Sequence, residues 1–81
     1  MRIRVRFFAI LKERAGTAAT ELQLIDGATV QAAIAMLSTQ FESLREFLPR
    51  VAFAVNQQYV AATTQLHDGD ELALIPPVSG G

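Results

Sequence analysis

The sequence predicts an α+β fold: one mixed sheet of about five strands, crossed by a single main helix and accompanied by short helical turns. Three observations carry this. Arg2-Ile3-Arg4-Val5-Arg6-Phe7 alternates charged and apolar residues, the period-two pattern of a strand with one buried face. Val30, Ala33, Ile34, Leu37 and Phe41 recur at i, i+3, i+4, i+7 and i+11, the apolar stripe of an amphipathic helix. Glu71-Leu72-Ala73-Leu74-Ile75 is a strand entered through Asp68-Gly69-Asp70 and closed by Pro76-Pro77, since neither proline can donate a ladder hydrogen bond.

The remaining elements fall between these. Phe8 to Ala15 contains the helix formers Ala9, Leu11, Lys12, Glu13 and Arg14 and stops at Gly16, which suits a short helical turn with a glycine cap. Thr20 to Leu24 alternates again and runs into Asp26-Gly27, a second strand ending in a turn. Thr29 is placed to cap the main helix. A shorter helical piece is expected over Ser43 to Leu48, with Pro49 as its stop. Val51 to Val55 reads as a strand with Val51, Phe53 and Val55 on one face, and Asn56-Gln57-Gln58 as a turn before Tyr59-Val60. Packing the helix stripe on Ile3, Val5, Phe7, Leu22, Leu24, Phe53, Val55, Leu72 and Leu74 gives the outline of a ubiquitin-like β-grasp, one domain over residues 1–81 with residues 76–81 as an extended, flexible C-terminal tail.

Composition limits what such a domain does. At 81 residues the core is small and only marginally stable. With no cysteine, disulfides, thiolate metal sites and a cysteine nucleophile are excluded, which leans the reading towards a reducing cytoplasm. A net charge of −1 gives no electrostatic case for nucleic acid or an anionic membrane. No apolar run approaches the roughly 20 residues that span a bilayer. A small soluble cytoplasmic domain is expected.

Internal catalytic chemistry has little to stand on. His67 is alone beside a turn, with no second histidine for a metal site. Asp68-Gly69-Asp70 reads as turn chemistry, because the ligand count of a calcium loop is missing. None of the five glycines has phosphate-loop spacing. No metal and no cofactor is therefore expected on this chain. Arg2, Arg4 and Arg6 read as a solvated strand face in preference to a nucleic-acid stripe. On that outer face Ala52, Ala54, Ala73 and Ile75 are more apolar than water contact requires, and the face is a candidate docking surface for another protein, with Phe8 and Ile75 as its anchors.

The last residues are the distinctive ones. Pro76-Pro77 holds an extended, stiff exit, Val78 and Ser79 follow, and Gly80-Gly81 have no Cβ and can enter a channel too narrow for other residues. The four residues after Pro77 reach at most about 13 to 14 Å. The terminal carboxylate of Gly81 is ionised at neutral pH and a poor acyl electrophile, so acyl chemistry there requires activation by another protein, for example as an acyl-adenylate made from ATP.

The segments "IRVRFFAILKERAG", "DGATVQAAIAML", "VAFAVNQQYV" and above all "LHDGDELALIPPVSGG" resemble the small subunits of molybdopterin synthase, the MoaD family of ubiquitin-like sulfur carriers, over essentially the whole chain. That resemblance implies that a MoeB-like adenylating enzyme of the ubiquitin-activating type uses ATP on Gly81, and that a sulfur donor protein supplies the sulfur of a thiocarboxylate. It further implies that the tail, Pro76 to Gly81, inserts into a MoaE-like large subunit in a heterotetramer and gives sulfur to precursor Z to build the dithiolene of molybdopterin. Gly81 is then the sulfur-bearing residue and Gly80 the neighbour that lets the tail fit, while the chain is non-catalytic on its own and the lysines and pterin site of the reaction lie on the other subunit. Three alternatives stand beside this: a carrier for thiamine, cysteine or tRNA thiolation, a ubiquitin-like modifier conjugated through Gly81, and a plain interaction module. The Pro-Pro spacing and the segment around Lys12 favour the MoaD type.

Overall fold

The computed structural model describes residues 1–77. Five strands and two helices alternate as β1 (Arg2–Phe7), α1 (Ile10–Ala15), β2 (Ala19–Gln23), α2 (Val30–Gln40), β3 (Ala52–Val55), β4 (Gln58–Val60) and β5 (Glu71–Ile75), with 3-10 turns at Glu42–Leu44 and Leu48–Arg50. The sheet runs β2-β1-β5-β3-β4. Only the central pair β1 and β5 is parallel, so the sheet is mixed, as its sequence predicts. Placing the first and last strands side by side at the centre puts the chain's exit, Pro76-Pro77, beside the end of β1.

One face of this sheet is closed by α2. Val30, Ala33 and Leu37 of the helix are buried in a single cluster with Ile3, Val5, Phe7, Leu22, Leu72 and Leu74. Each large apolar side chain so buried contributes roughly 1.5 to 3 kcal/mol. Phe41, just past the helix, stacks edge-on against Phe7 with ring centroids 5.4 Å apart. Leu11, Leu44 and Leu66 are also fully buried, although none lies on the stripes that periodicity picks out. Leu66 is brought in by backbone pairing: its N–H donates to the Ala28 carbonyl at 2.8 Å.

The same segment completes the start of α2. A helix leaves its first N–H groups without partners. Here Val30 N–H donates to Thr64 O and Gln31 N–H to Ala62 O, each at 2.9 Å, and Ala32 N–H donates to Thr29 Oγ1 at 3.3 Å. Thr29 is thus the expected cap, and the loop before β5 supplies the rest.

Several boundaries differ from the sequence expectation for local reasons. The helical piece expected over Ser43 to Leu48 is two 3-10 turns, and Pro49 lies inside the second, near its start, where a missing N–H breaks no bond. Phe53 and Val55 are half-buried and lean on the edge of the core, because β3 lies next to the edge strand. The helix α1 begins at Ile10 because Ala9 has φ 50° and ψ −126°, outside any helical conformation. Gly16 ends it in the left-handed region, its N–H donating to Lys12 O at 3.0 Å.

Ala9 carries a testable strain. Its positive φ belongs to a turn in which Leu11 N–H donates to Phe8 O at 3.0 Å, and a side chain at that backbone angle costs energy that glycine avoids. Ala9→Gly is therefore expected to raise the unfolding free energy by about 1 kcal/mol in urea titration, the relief of strain exceeding the entropy cost of the added glycine.

Candidate functional site

Side chains of β1 at even positions face away from α2, and the strand registers line them up with their neighbours. Arg6 stands opposite Ala19 on β2 and Ala73 on β5, Ala73 opposite Ala54 on β3, and Ala54 opposite Tyr59 on β4. One continuous row, Ala19-Arg6-Ala73-Ala54-Tyr59, therefore crosses the outer face. A step towards the strand ends, Ala52 pairs with Ile75, and Phe8 follows the Phe7–Leu74 pair on β1.

The two ends of this face differ in character. Near the start of β1, Arg2 Nε lies 3.6 Å from the exposed Glu21, and further along Arg6 lies 3.7 Å from the half-buried Glu71. Such pairs are each worth at most about 1 kcal/mol, but they engage Arg2 and Arg6 and fit a solvated strand face. Towards the chain exit the face is apolar: Phe8 is 40% exposed, Ala52 is exposed, and Ala73 and Ile75 are half-buried. The Arg6 guanidinium sits 5.3 Å from the Phe8 ring centroid and marks the border between the halves.

Two details correct the sequence reading of this patch. Ala54 faces outward but is only 5% exposed, so it forms the floor between Ala73 and Tyr59 and offers a partner little area. Tyr59, by contrast, is 75% exposed and stands at the rim, where the sequence reading did not place it. Its facing depends on the hairpin register, which the two-residue turn sets: Asn56 and Gln57 both have positive φ, as in the tight turns that match strand twist. Without a glycine at Gln57 that turn type was not readable from residue types.

The Asp68-Gly69-Asp70 segment is turn chemistry. Asp68 Oδ1 accepts from Arg2 N–H at 2.7 Å, and Asp70 accepts from His67 N–H at 2.8 Å and from Asn56 Nδ2 at 2.9 Å. Asn56 Oδ1 in turn accepts from Glu71 N–H at 3.1 Å, so one side chain ties the hairpin to the start of β5. His67 lies exposed with Nδ1 3.8 Å from Asp70. These carboxylates hold the strand that leads to the exit.

Pro76, half-buried, and Pro77, exposed, leave the sheet at the apolar end of the outer face. Val78, Ser79, Gly80 and Gly81, which the sequence reading makes the inserting and reactive residues, lie outside the described residues.

Comparison with known proteins places this geometry. The ThiS family model matches residues 5–81, strands, helix and tail together. The chain belongs to the ThiS family. Among relatives of this ThiS-family chain, the molybdopterin synthase sulfur carrier subunit of Chlamydomonas reinhardtii is 39% identical over the full length of both proteins. Small archaeal modifier protein 1 of Haloferax volcanii has the same fold, with a TM-score of 0.89 and 31% identity over the whole of both chains. A chain in the protein-protein complex of subunits 1 and 2 of molybdopterin-converting factor from Helicobacter pylori 26695 has a TM-score of 0.74 and 30% identity, again over both whole chains. These ubiquitin-like neighbours bear out the β-grasp. Among the described residues of the ThiS-family chain no helix is long and apolar enough to cross a membrane.

Proposed function

We propose that this chain is the sulfur-carrying small subunit of a molybdopterin synthase, with the carboxyl group of Gly81 as the sulfur-bearing group. The observation that carries this is likeness over the full chain, tail included, to molybdopterin synthase sulfur carrier subunits. The chemistry fits that role. Among the described residues the polar clusters serve turns and strand faces. What the chain offers is a terminus made slim by Gly80 and Gly81 and directed by Pro76 and Pro77.

In this reading a MoeB-like enzyme adenylates the Gly81 carboxylate with ATP, which makes the glycyl carbonyl electrophilic. Sulfur from a donor protein then replaces the adenylate, leaving a thiocarboxylate. The tail enters the MoaE-like large subunit, where the sulfur passes to precursor Z. The reading is tested by reconstitution. The chain in its thiocarboxylate form, mixed with the large subunit, is expected to convert precursor Z to molybdopterin, and the carboxylate form is expected to give none. Equal product from both forms refutes the role given to Gly81. The Haloferax relative is named a modifier, and its fold is the same. The reading as carrier is favoured because the full-length sequence relatives are carrier subunits.

The apolar end of the outer face is the docking surface in this proposal, for the large subunit and the adenylating enzyme alike. It contains Phe8, Ile75, Ala52 and Ala73 beside the exit of the tail, so a partner that grips it receives the tail at once. Burying a charge at the centre of such a contact without a partner is expensive. Ile75→Asp is expected to weaken binding of the large subunit by about 2 kcal/mol or more in titration calorimetry, roughly 30-fold in Kd.

A further inference from the structure

Phe7 and Phe8 are neighbours in sequence and opposites in how they are held. Phe7 is buried in the core with Phe41 against its ring. Phe8 lies beyond the last residue of β1 and before the first residue of α1, and it is 40% exposed. The backbone turns directly after it: Phe8 O accepts from Leu11 N–H at 3.0 Å, and Ala9 follows with φ 50°. An aromatic ring at such a place has freedom to lose when a partner covers it, and that loss lowers affinity unless the ring is already held.

A row of side chains on the outer face supplies the hold. Arg6 precedes Phe8 by two residues, and its guanidinium sits 5.3 Å from the Phe8 ring centroid. The guanidinium is in turn fixed from β5, with Nη1 3.7 Å from Glu71 Oε1. Glu71 is a firm anchor because Asn56 binds both of its backbone groups. Glu71 N–H donates to Asn56 Oδ1 at 3.1 Å, and Asn56 N–H donates to Glu71 O at 2.9 Å. The pairing is also selective. Arg4 is the residue directly opposite Glu71 in the strand register, yet the carboxylate reaches diagonally to Arg6, and Arg4 forms no ion pair among the described residues. Glu71, Arg6 and Phe8 thus run in contact from the fixed start of β5 to the apolar end of the face.

We infer that Arg6 is a positioning residue for docking: tethered by Glu71, it holds the Phe8 ring in place on the outer face, so that a partner meets a ring already set. The inference rests on the docking role proposed above for Phe8 and Ile75. Arg6 acts through Phe8, and its own charge is secondary. An exposed contact between a guanidinium and an aromatic ring is modest, and its loss corresponds to roughly 2- to 5-fold in Kd. Simple loss of charge is separated from this by Arg4, since Arg4→Gln removes the same charge from the same face of the same strand.

The test is titration calorimetry of the full chain with the large subunit at about 0.15 M salt, where long-range charge is largely screened. It compares the parent with Arg6→Gln, Arg4→Gln, Phe8→Ala and the double variant Arg6→Gln/Phe8→Ala. Arg6→Gln is expected to weaken binding by roughly 2- to 5-fold, and Arg4→Gln to leave Kd within about 1.5-fold of the parent. On the Phe8→Ala background Arg6→Gln is expected to have no further effect, because the ring on which Arg6 acts is gone. No loss from Arg6→Gln, an equal loss from Arg4→Gln, or full additivity of Arg6→Gln with Phe8→Ala each overturns the inference while leaving the docking role of Phe8 standing. Binding that Phe8→Ala does not weaken overturns that docking role, and the inference with it.

Discussion

A chain extended by one alanine after Gly81 is expected to fold as the parent does and to accept no sulfur. The extension touches nothing in the core, which is closed by Ile3, Val5, Phe7, Val30, Leu37, Leu72 and Leu74 at the other face of the sheet from the outer apolar patch. Its effect falls on the reactive end alone. The carboxylate moves by up to about 3.6 Å, the length of one extended residue. A misplacement of only about 1 Å is enough to cost a reaction of this kind roughly 100-fold. Circular dichroism and urea midpoints unchanged from the parent, together with loss of sulfur uptake, meet the expectation. An extended chain that is loaded without first being trimmed places the reactive group elsewhere.

The second large effect is on stability, at Phe7. This side chain is 2% exposed, sits at the end of β1 and makes the edge-on contact with Phe41 that closes the core over the 3-10 turns. Truncating a buried phenylalanine costs about 3 to 5 kcal/mol. A chain of this size has roughly 4 to 12 kcal/mol in all, at about 0.05 to 0.15 kcal/mol per residue. Phe7→Ala is therefore expected to leave a large unfolded fraction at 37 °C, seen as a lowered urea midpoint with the slope unchanged. Phe8→Ala, one residue on and facing outward, is the contrast: it should change stability by under about 1 kcal/mol and act on partner binding instead. The pair separates scaffold from surface within two adjacent residues.

How much of this was legible beforehand differs by element. β1 and β5 were readable because period two and a proline stop are local signals, and α2 because its stripe runs through Val30, Ala33 and Leu37. The order in which strands meet was not local, and neither was the burial of Leu66, which depends on a loop pairing with Ala28 and the start of α2. The outer face shows the same division. Alternation placed Ala52, Ala73 and Ile75 on it, but the low exposure of Ala54 and the rim position of Tyr59 follow from the register of a hairpin whose turn uses Asn56 and Gln57 at positive φ. The strain at Ala9 could not be read at all, since alanine is an ordinary helix former and the helix formers after it suggested a longer helix. For the tail the position is reversed: residue types alone, Pro-Pro then Gly-Gly, carry its reading.

The scaffold also brings the proposed docking patch and the chain's exit together. Parallel pairing of the first and last strands puts Phe8, Ile75 and the exit at Pro76 together. The Asp70–Asn56–Glu71 bonds fix the other end of the same strand. A partner that holds the patch thus holds the base of the tail at Pro76 and Pro77.

The measurement that bears most directly on this account is the intact mass of the chain after incubation with ATP, its adenylating enzyme and a sulfur donor protein. The expected result is a mass increase equal to exchange of one oxygen for sulfur, located by fragmentation to Gly81. Pyrophosphate release with no such exchange at Gly81 would contradict it.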